Sequence, residues 1–145
     1  MNLGSRPLAT VLGALTKRQH YIAAWNMLSV YQRPAEMFAR YLLGSGDYPT
    51  EISVNTPLGP LSLTAYSRDD VLSVNEIFCR KDYPVRSTDR LFVDFGSNIG
   101  ISAAYFLSHN PDSSAVLFEP LPVNAERLRH NLRFAEGRYE LHEVA

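Results

Sequence analysis

Apolar residues along this chain switch between helical and alternating spacing, and each change of period marks an element. Leu8, Val11, Leu12 and Leu15 fall at i, i+3, i+4 and i+7 behind Ser5 and Pro7. This predicts an amphipathic helix with a serine cap and a proline early in its first turn. A second helix is predicted from Lys17 to Tyr31 with Tyr21, Trp25 and Leu28 on its core face. A third begins at Pro34 and carries Met37, Phe38, Tyr41 and Leu42 until Gly44-Ser45-Gly46 ends it. The period then drops to two. Glu51 to Val54 and Leu61 to Tyr66 alternate on either side of the turn-rich Thr56-Pro57-Leu58-Gly59-Pro60, which predicts a β-hairpin. Ser67 and the acids Asp69 and Asp70 then cap and begin a helix carrying Val71, Leu72, Val74, Ile77 and Phe78, ended by residues 80–84.

In the second half, strand and helix signals alternate. Leu91-Phe92-Val93-Asp94-Phe95 is a short apolar run with a single acid and no cation, read as a strand buried on both faces. Gly96 breaks it, Gly100 follows, and Ile99, Ala103 and Phe106 continue at helical spacing. Ala115 to Phe118 is the next strand. Pro122 starts a helix whose Ala125, Leu128, Leu132 and Ala135 face inward, with Glu126, Arg127, Arg129, His130 and Arg133 on a solvated face. Gly137 ends that helix, and Tyr139 to Val144 alternates as a third strand. Strand, helix, strand, helix, strand is the pattern of an α/β fold with parallel strands.

At 145 residues, 46% hydrophobic and 20% charged, the composition is that of an ordinary globular chain. It divides into a helical cap at 1–48, a hairpin and helix at 49–86, and the α/β unit at 87–145. A net charge of −1 argues against nucleic acid or an anionic membrane as partner, and no apolar run approaches the ~18 residues of a spanning helix. The apolar patch at residues 7–15 is too short, and lacks the cleavage site, for a signal sequence. The lone Cys79 allows no internal disulfide and suits a reducing, cytoplasmic compartment. The four histidines have no zinc spacing, so no metal site is expected.

The candidate chemistry sits at the glycine turn, where bare backbone admits a ligand closely and helix N–H groups face a carboxylate or phosphate. A dinucleotide fingerprint would need glycine at 96, 98 and 101, but positions 98 and 101 are Asn and Ile. A Walker loop would need Gly-Lys-Ser/Thr, and the Asp94-Phe95-Gly96 string has no His-Arg-Asp loop upstream. What remains is acid-x-Gly-x-Asn-x-Gly at a strand end. Glu119-Pro120 closes the second strand, where an acid can accept ribose hydroxyls. Asp94 either orients the glycine loop through its N–H groups, the favoured reading, or simply terminates the strand. Asn98 is either a turn residue tolerant of left-handed backbone or a direct contact.

The string Val93-Asp94-Phe95-Gly96-Ser97-Asn98-Ile99-Gly100, followed by Phe118-Glu119-Pro120 and Asn131-Leu132, resembles the FkbM-type family of S-adenosylmethionine-dependent methyltransferases. Upstream, Asp69-Asp70-Val71-Leu72, Glu76-Ile77-Phe78 and Asp82-Tyr83 extend the resemblance to residues 67–145. Ser97 stands where that family more often has Ala. The resemblance implies a Rossmann-like class I methyltransferase fold, with its first three parallel strands here preceded by a helical and β-hairpin region. It implies S-adenosylmethionine as cofactor, held by Asp94, Gly96, Ser97, Asn98, Gly100 and Glu119. Tyr83 is either a pocket wall or a surface loop residue.

The implied sheet order is 3-2-1-4-5-7-6, of which this sequence carries the first three strands, so the reading expects an N-terminal portion of such an enzyme. The implied reaction is O-methyl transfer to a hydroxyl of a small molecule or sugar, with the catalytic base unassigned. The alternative is a truncated, non-catalytic cofactor-binding or protein-interaction module. Either way the first strand is expected to expose an open edge, suited to self-association or a partner chain.

Overall fold

The computed structural model describes residues 2–3, 6–7 and 25–144. Asn2–Leu3 (β1) and Arg6–Pro7 (β2) pair antiparallel. Pro7 is therefore extended rather than in the first turn of a helix, its segment being claimed by that pairing. The remainder of the helix predicted over 7–15, and residues 17–24 of the second, lie outside the described residues.

Residues 25–30 are helical (α1), and the helix stops before Tyr31, which bridges to Val54 while Gln32 N–H donates to the Ser53 carbonyl at 3.0 Å. This pairing sets the roll of α1. Met27 and Tyr31 turn into the core, whereas Trp25 is 75% exposed and Leu28 56%, against the expectation that both were core. Helix α2 (Pro34–Leu43) opens on its proline and ends at Gly44, left-handed at φ 66°. The hairpin strands β3 (Thr50–Thr56) and β4 (Gly59–Ala65) bury Ile52, Val54, Leu61, Leu63 and Ala65 on one face, as their alternation predicts.

Helix α3 (Arg68–Val74) is capped by Ser67, whose hydroxyl accepts the Asp70 N–H at 3.2 Å. It runs on into a π-helical segment, Asn75–Cys79, in which Ile77, Phe78 and Cys79 are all buried. The wider π turn lets consecutive apolar residues face the core where a 3.6-residue period would expose one of them.

The second half forms a three-stranded parallel sheet in the order β5 (Leu91–Phe95), β6 (Ser114–Phe118), β7 (Tyr139–His142). Helices α4 (Ile101–Leu107) and α5 (Pro122–Asn131) connect the strands. Phe92, Ala115 and Leu117 share the covered face, where Phe92 stacks on Phe106 of α4 at 5.0 Å. Ala125, Leu128, Leu132 and Ala135 are buried, as their spacing predicts. Arg138 reaches across to the end of α4 and donates to the carbonyls of Leu107 and Asn110 at 3.1 and 3.0 Å, satisfying acceptors that a helix end leaves open.

Strand β5 departs from the expectation of burial on both faces. Leu91, Val93 and Phe95 project to the side opposite α4 and are exposed, Phe95 by 77%. On that face Phe95, Phe118 and His142 stack in a row, ring centroids 4.8 and 4.9 Å apart. The run is apolar in sequence, yet among the described residues only one of its faces finds a cover.

Candidate cofactor site

The glycine turn lies at the C-terminal ends of the parallel strands, where α/β sheets place ligands. Gly96, Asn98 and Gly100 all have positive φ, at 79°, 48° and 82°. The chain thus folds back twice within five residues, a path open to Gly and, at a cost, Asn. The Phe118 carbonyl at the end of β6 accepts from Gly96 and Ser97 N–H at 2.9 and 3.0 Å, extending the sheet pairing into the turn. Gly100 N–H donates to the Ser97 carbonyl at 2.8 Å, and the Ser97 hydroxyl donates to the Asp94 carbonyl at 3.0 Å.

Glu119, only 4% exposed, closes the turn from behind. One carboxylate oxygen accepts Asn98 N–H at 2.7 Å; the other takes Leu121 N–H at 3.0 Å and the Asn124 amide at 3.4 Å. Three of the roughly four acceptor positions of a carboxylate are thus taken within the protein.

Asp94 does something other than expected. Its carboxylate accepts the Ser102 hydroxyl of α4 at 2.5 Å, while the loop N–H of Asn98 goes to Glu119. Orientation of the turn through its N–H groups therefore falls to Glu119. The reason is reach: Asp94 belongs to the strand face that meets α4, and Glu119 stands beneath the turn itself.

The two outer glycines serve different needs. A Cβ on Gly100 would lie 3.0 Å from Leu128 Cγ and 3.4 Å from Leu132 Cγ, so Gly100 permits the close approach of α5. A Cβ on Gly96 would meet nothing within 4 Å. Its backbone faces a cavity of about 230 Å³ lined by Asp94, Ser97 and Asn98 from the turn, Ile101 and Ser102 from α4, and Ser73 and Ile77 from α3 and its π extension. That is below the roughly 300–1,000 Å³ of a whole small-molecule pocket, and fits one polar part of a larger ligand.

Of the residues singled out in the sequence, Asp94, Gly96, Ser97, Asn98 and Tyr83 line this cavity. Gly100 and Glu119 stand behind the turn and shape it. Tyr83 is 49% exposed and also lines a second cavity of about 440 Å³ that runs past Val85 and Leu91 to Phe92 and Phe106, so it is both a wall and a surface residue. Sequence reasoning missed Ser73 and Ser102. Ser102 carried one signal, its place two residues after Gly100 in the first turn of the helix that follows Asp94. Ser73 carried none, because only the packing of α3 against α4 brings it there. No group of three or more potential metal ligands occurs among the described residues, and no described helix is long and apolar enough to cross a membrane.

No protein-family model matches the chain. Over 79 residues, 54% of its length, it is 37% identical to the AMB antimetabolite synthetase AmbE of Pseudomonas aeruginosa, of which it spans 3%. Two solved structures are similar at 16% identity. One is the Pyrococcus horikoshii protein PH0793, described as a transferase, at a TM-score of 0.45 over 86% of this chain and 49% of that one. The other is the mitomycin 7-O-methyltransferase MmcR, at a TM-score of 0.36 over 94% of this chain and 39% of that one. The chain thus spans about half or less of each, and likeness at this level assigns no activity.

Proposed function

We propose that this chain carries the S-adenosylmethionine half-site of a methyltransferase of Rossmann-like, FkbM-type class, acting on a hydroxyl of a small molecule or sugar. The observation that carries the reading is the turn itself: left-handed Gly96, Asn98 and Gly100 fixed by a buried carboxylate at the end of the neighbouring strand, with bare Gly96 backbone against a polar cavity. The residues fit such a cofactor. Asp94, Ser97, Asn98 and Ser102 offer acceptors and donors to its amino-acid part, and Glu119 holds the turn in shape from behind. When bound, the group supplies an electrophilic methyl; the chain's own residues contribute position and exclusion of water. The 79-residue likeness to an antimetabolite synthetase favours a small-molecule acceptor.

Calorimetric titration with S-adenosylhomocysteine tests the site. The protein is expected to bind it, Gly96→Val to abolish binding by filling the cradle, and Glu119→Ala to weaken it at least tenfold while leaving Asn98 and Leu121 N–H unpaired, at about 1–3 kcal/mol each. No binding, or equal binding by both variants, would overturn the assignment. A second reading, a non-catalytic interaction module that self-associates or takes a partner chain, is favoured by one observation, the bare apolar face of β5.

A further inference from the structure

We propose that Asn131 is the positioning residue that holds the cofactor turn in its binding shape and couples it to the β3–β4 hairpin, an inference that rests on the reading of the site given above. Asn131 ends α5 and is fully buried. Its amide oxygen accepts Thr64 N–H at 2.7 Å, and its amide nitrogen donates to the Thr64 carbonyl at 3.2 Å and to the Ile99 carbonyl at 2.9 Å. The side chain thus occupies, on the outer edge of β4, both backbone groups that a neighbouring strand would take. Its remaining N–H reaches the one residue between the left-handed Asn98 and Gly100.

The turn is therefore gripped from two sides. Glu119 holds the Asn98 N–H, Asn131 holds the Ile99 carbonyl, and Leu128 of α5 and Leu132 just beyond its end press on Gly100. No residue of the turn's own strand and helix makes these three contacts. Asn131 and Ile99 are buried and Thr64 is partly so, and an Asn131 without its amide leaves the Ile99 carbonyl without a partner away from water. An asparagine does this where neither leucine nor aspartate can, because three bonds in this geometry require one acceptor and two donors on a single short planar group.

The experiment compares wild type, Asn131→Ala and the milder Asn131→Ser with Met27→Ala, a buried α1 substitution that lowers stability away from Thr64 and the turn. Two quantities are read well below the melting transition: amide hydrogen exchange at Asn98 and Gly100, and the dissociation constant for S-adenosylhomocysteine. In Asn131→Ala both are expected to rise about tenfold, the equivalent of one lost buried hydrogen bond; Asn131→Ser is intermediate, and Met27→Ala leaves both at the wild-type value. Unchanged exchange at Asn98 and Gly100 in Asn131→Ala, or the same change in Met27→Ala, would overturn the inference. If wild type fails to bind the ligand but Asn131→Ala still loosens the turn, the cofactor reading fails and the positioning role of Asn131 stands.

Discussion

Gly96 and Gly100 share a left-handed backbone, yet substitution separates them. Alanine at either pays the strain of positive φ, about 1–2 kcal/mol. At Gly96 nothing more is added, since the new methyl enters open space. At Gly100 the methyl meets Leu128 and Leu132, which adds roughly 1–3 kcal/mol of overpacking. Chemical denaturation is therefore expected to find Gly100→Ala the less stable of the two, while titration with S-adenosylhomocysteine finds Gly96→Ala the more impaired per unit of stability lost. Equal losses of stability would contradict the packing role assigned to Gly100. The sequence made these two glycines legible as a turn but not as distinct, because what tells them apart is Leu128, almost thirty residues away. The same holds for Asp94 and Glu119. Their acidic character at two strand ends was readable, whereas which one meets the Asn98 N–H depends on Asp94 lying on the strand face that meets α4.

At the scale of elements, the π extension of α3 is joined to α1, where the Asn26 side chain donates to the Cys79 carbonyl at 2.7 Å. Cys79 and Tyr31 are buried in this junction, and burial raises both ionisations, the Cys79 thiol from 9.0 to about 12. The folded state holds the proton that the unfolded chain gives up first. Stability from Cys79 is therefore complete below pH 9 and declines as the pH rises toward 12. Denaturation midpoints measured across this window are expected to fall more steeply for wild type than for Cys79→Ala; parallel curves would remove the thiol from the account. Helices α2, α3 and α5 and both hairpin strands were readable from capping residues and period. The roll of α1 was not, because Trp25 and Leu28 compete with Met27 and Tyr31 for the inward side, and the choice is made by the Tyr31–Val54 bridge.

For the molecule as a whole, the parallel order β5-β6-β7 followed from the alternation of strand and helix signals, while the exposure of β5 did not follow from its composition. An apolar run reads as buried on two sides, and only the placement of α4 on one side reveals the other as bare among the described residues. Leu91, Val93 and Phe95 then form, with Phe118, an exposed apolar surface. Sedimentation of the 145-residue chain is expected to show self-association that weakens with Val93→Lys, because a charge at the centre of the patch opposes its burial; a wild type that stays monomeric at all concentrations would count against this. The one-sided sheet has a calorimetric consequence as well. Side chains already hydrated in the native monomer contribute nothing to the rise in heat capacity when it unfolds, so at concentrations below self-association the increment per residue should fall below the roughly 12–15 cal/mol/K of a fully covered domain, and the stability curve should be correspondingly flat with temperature.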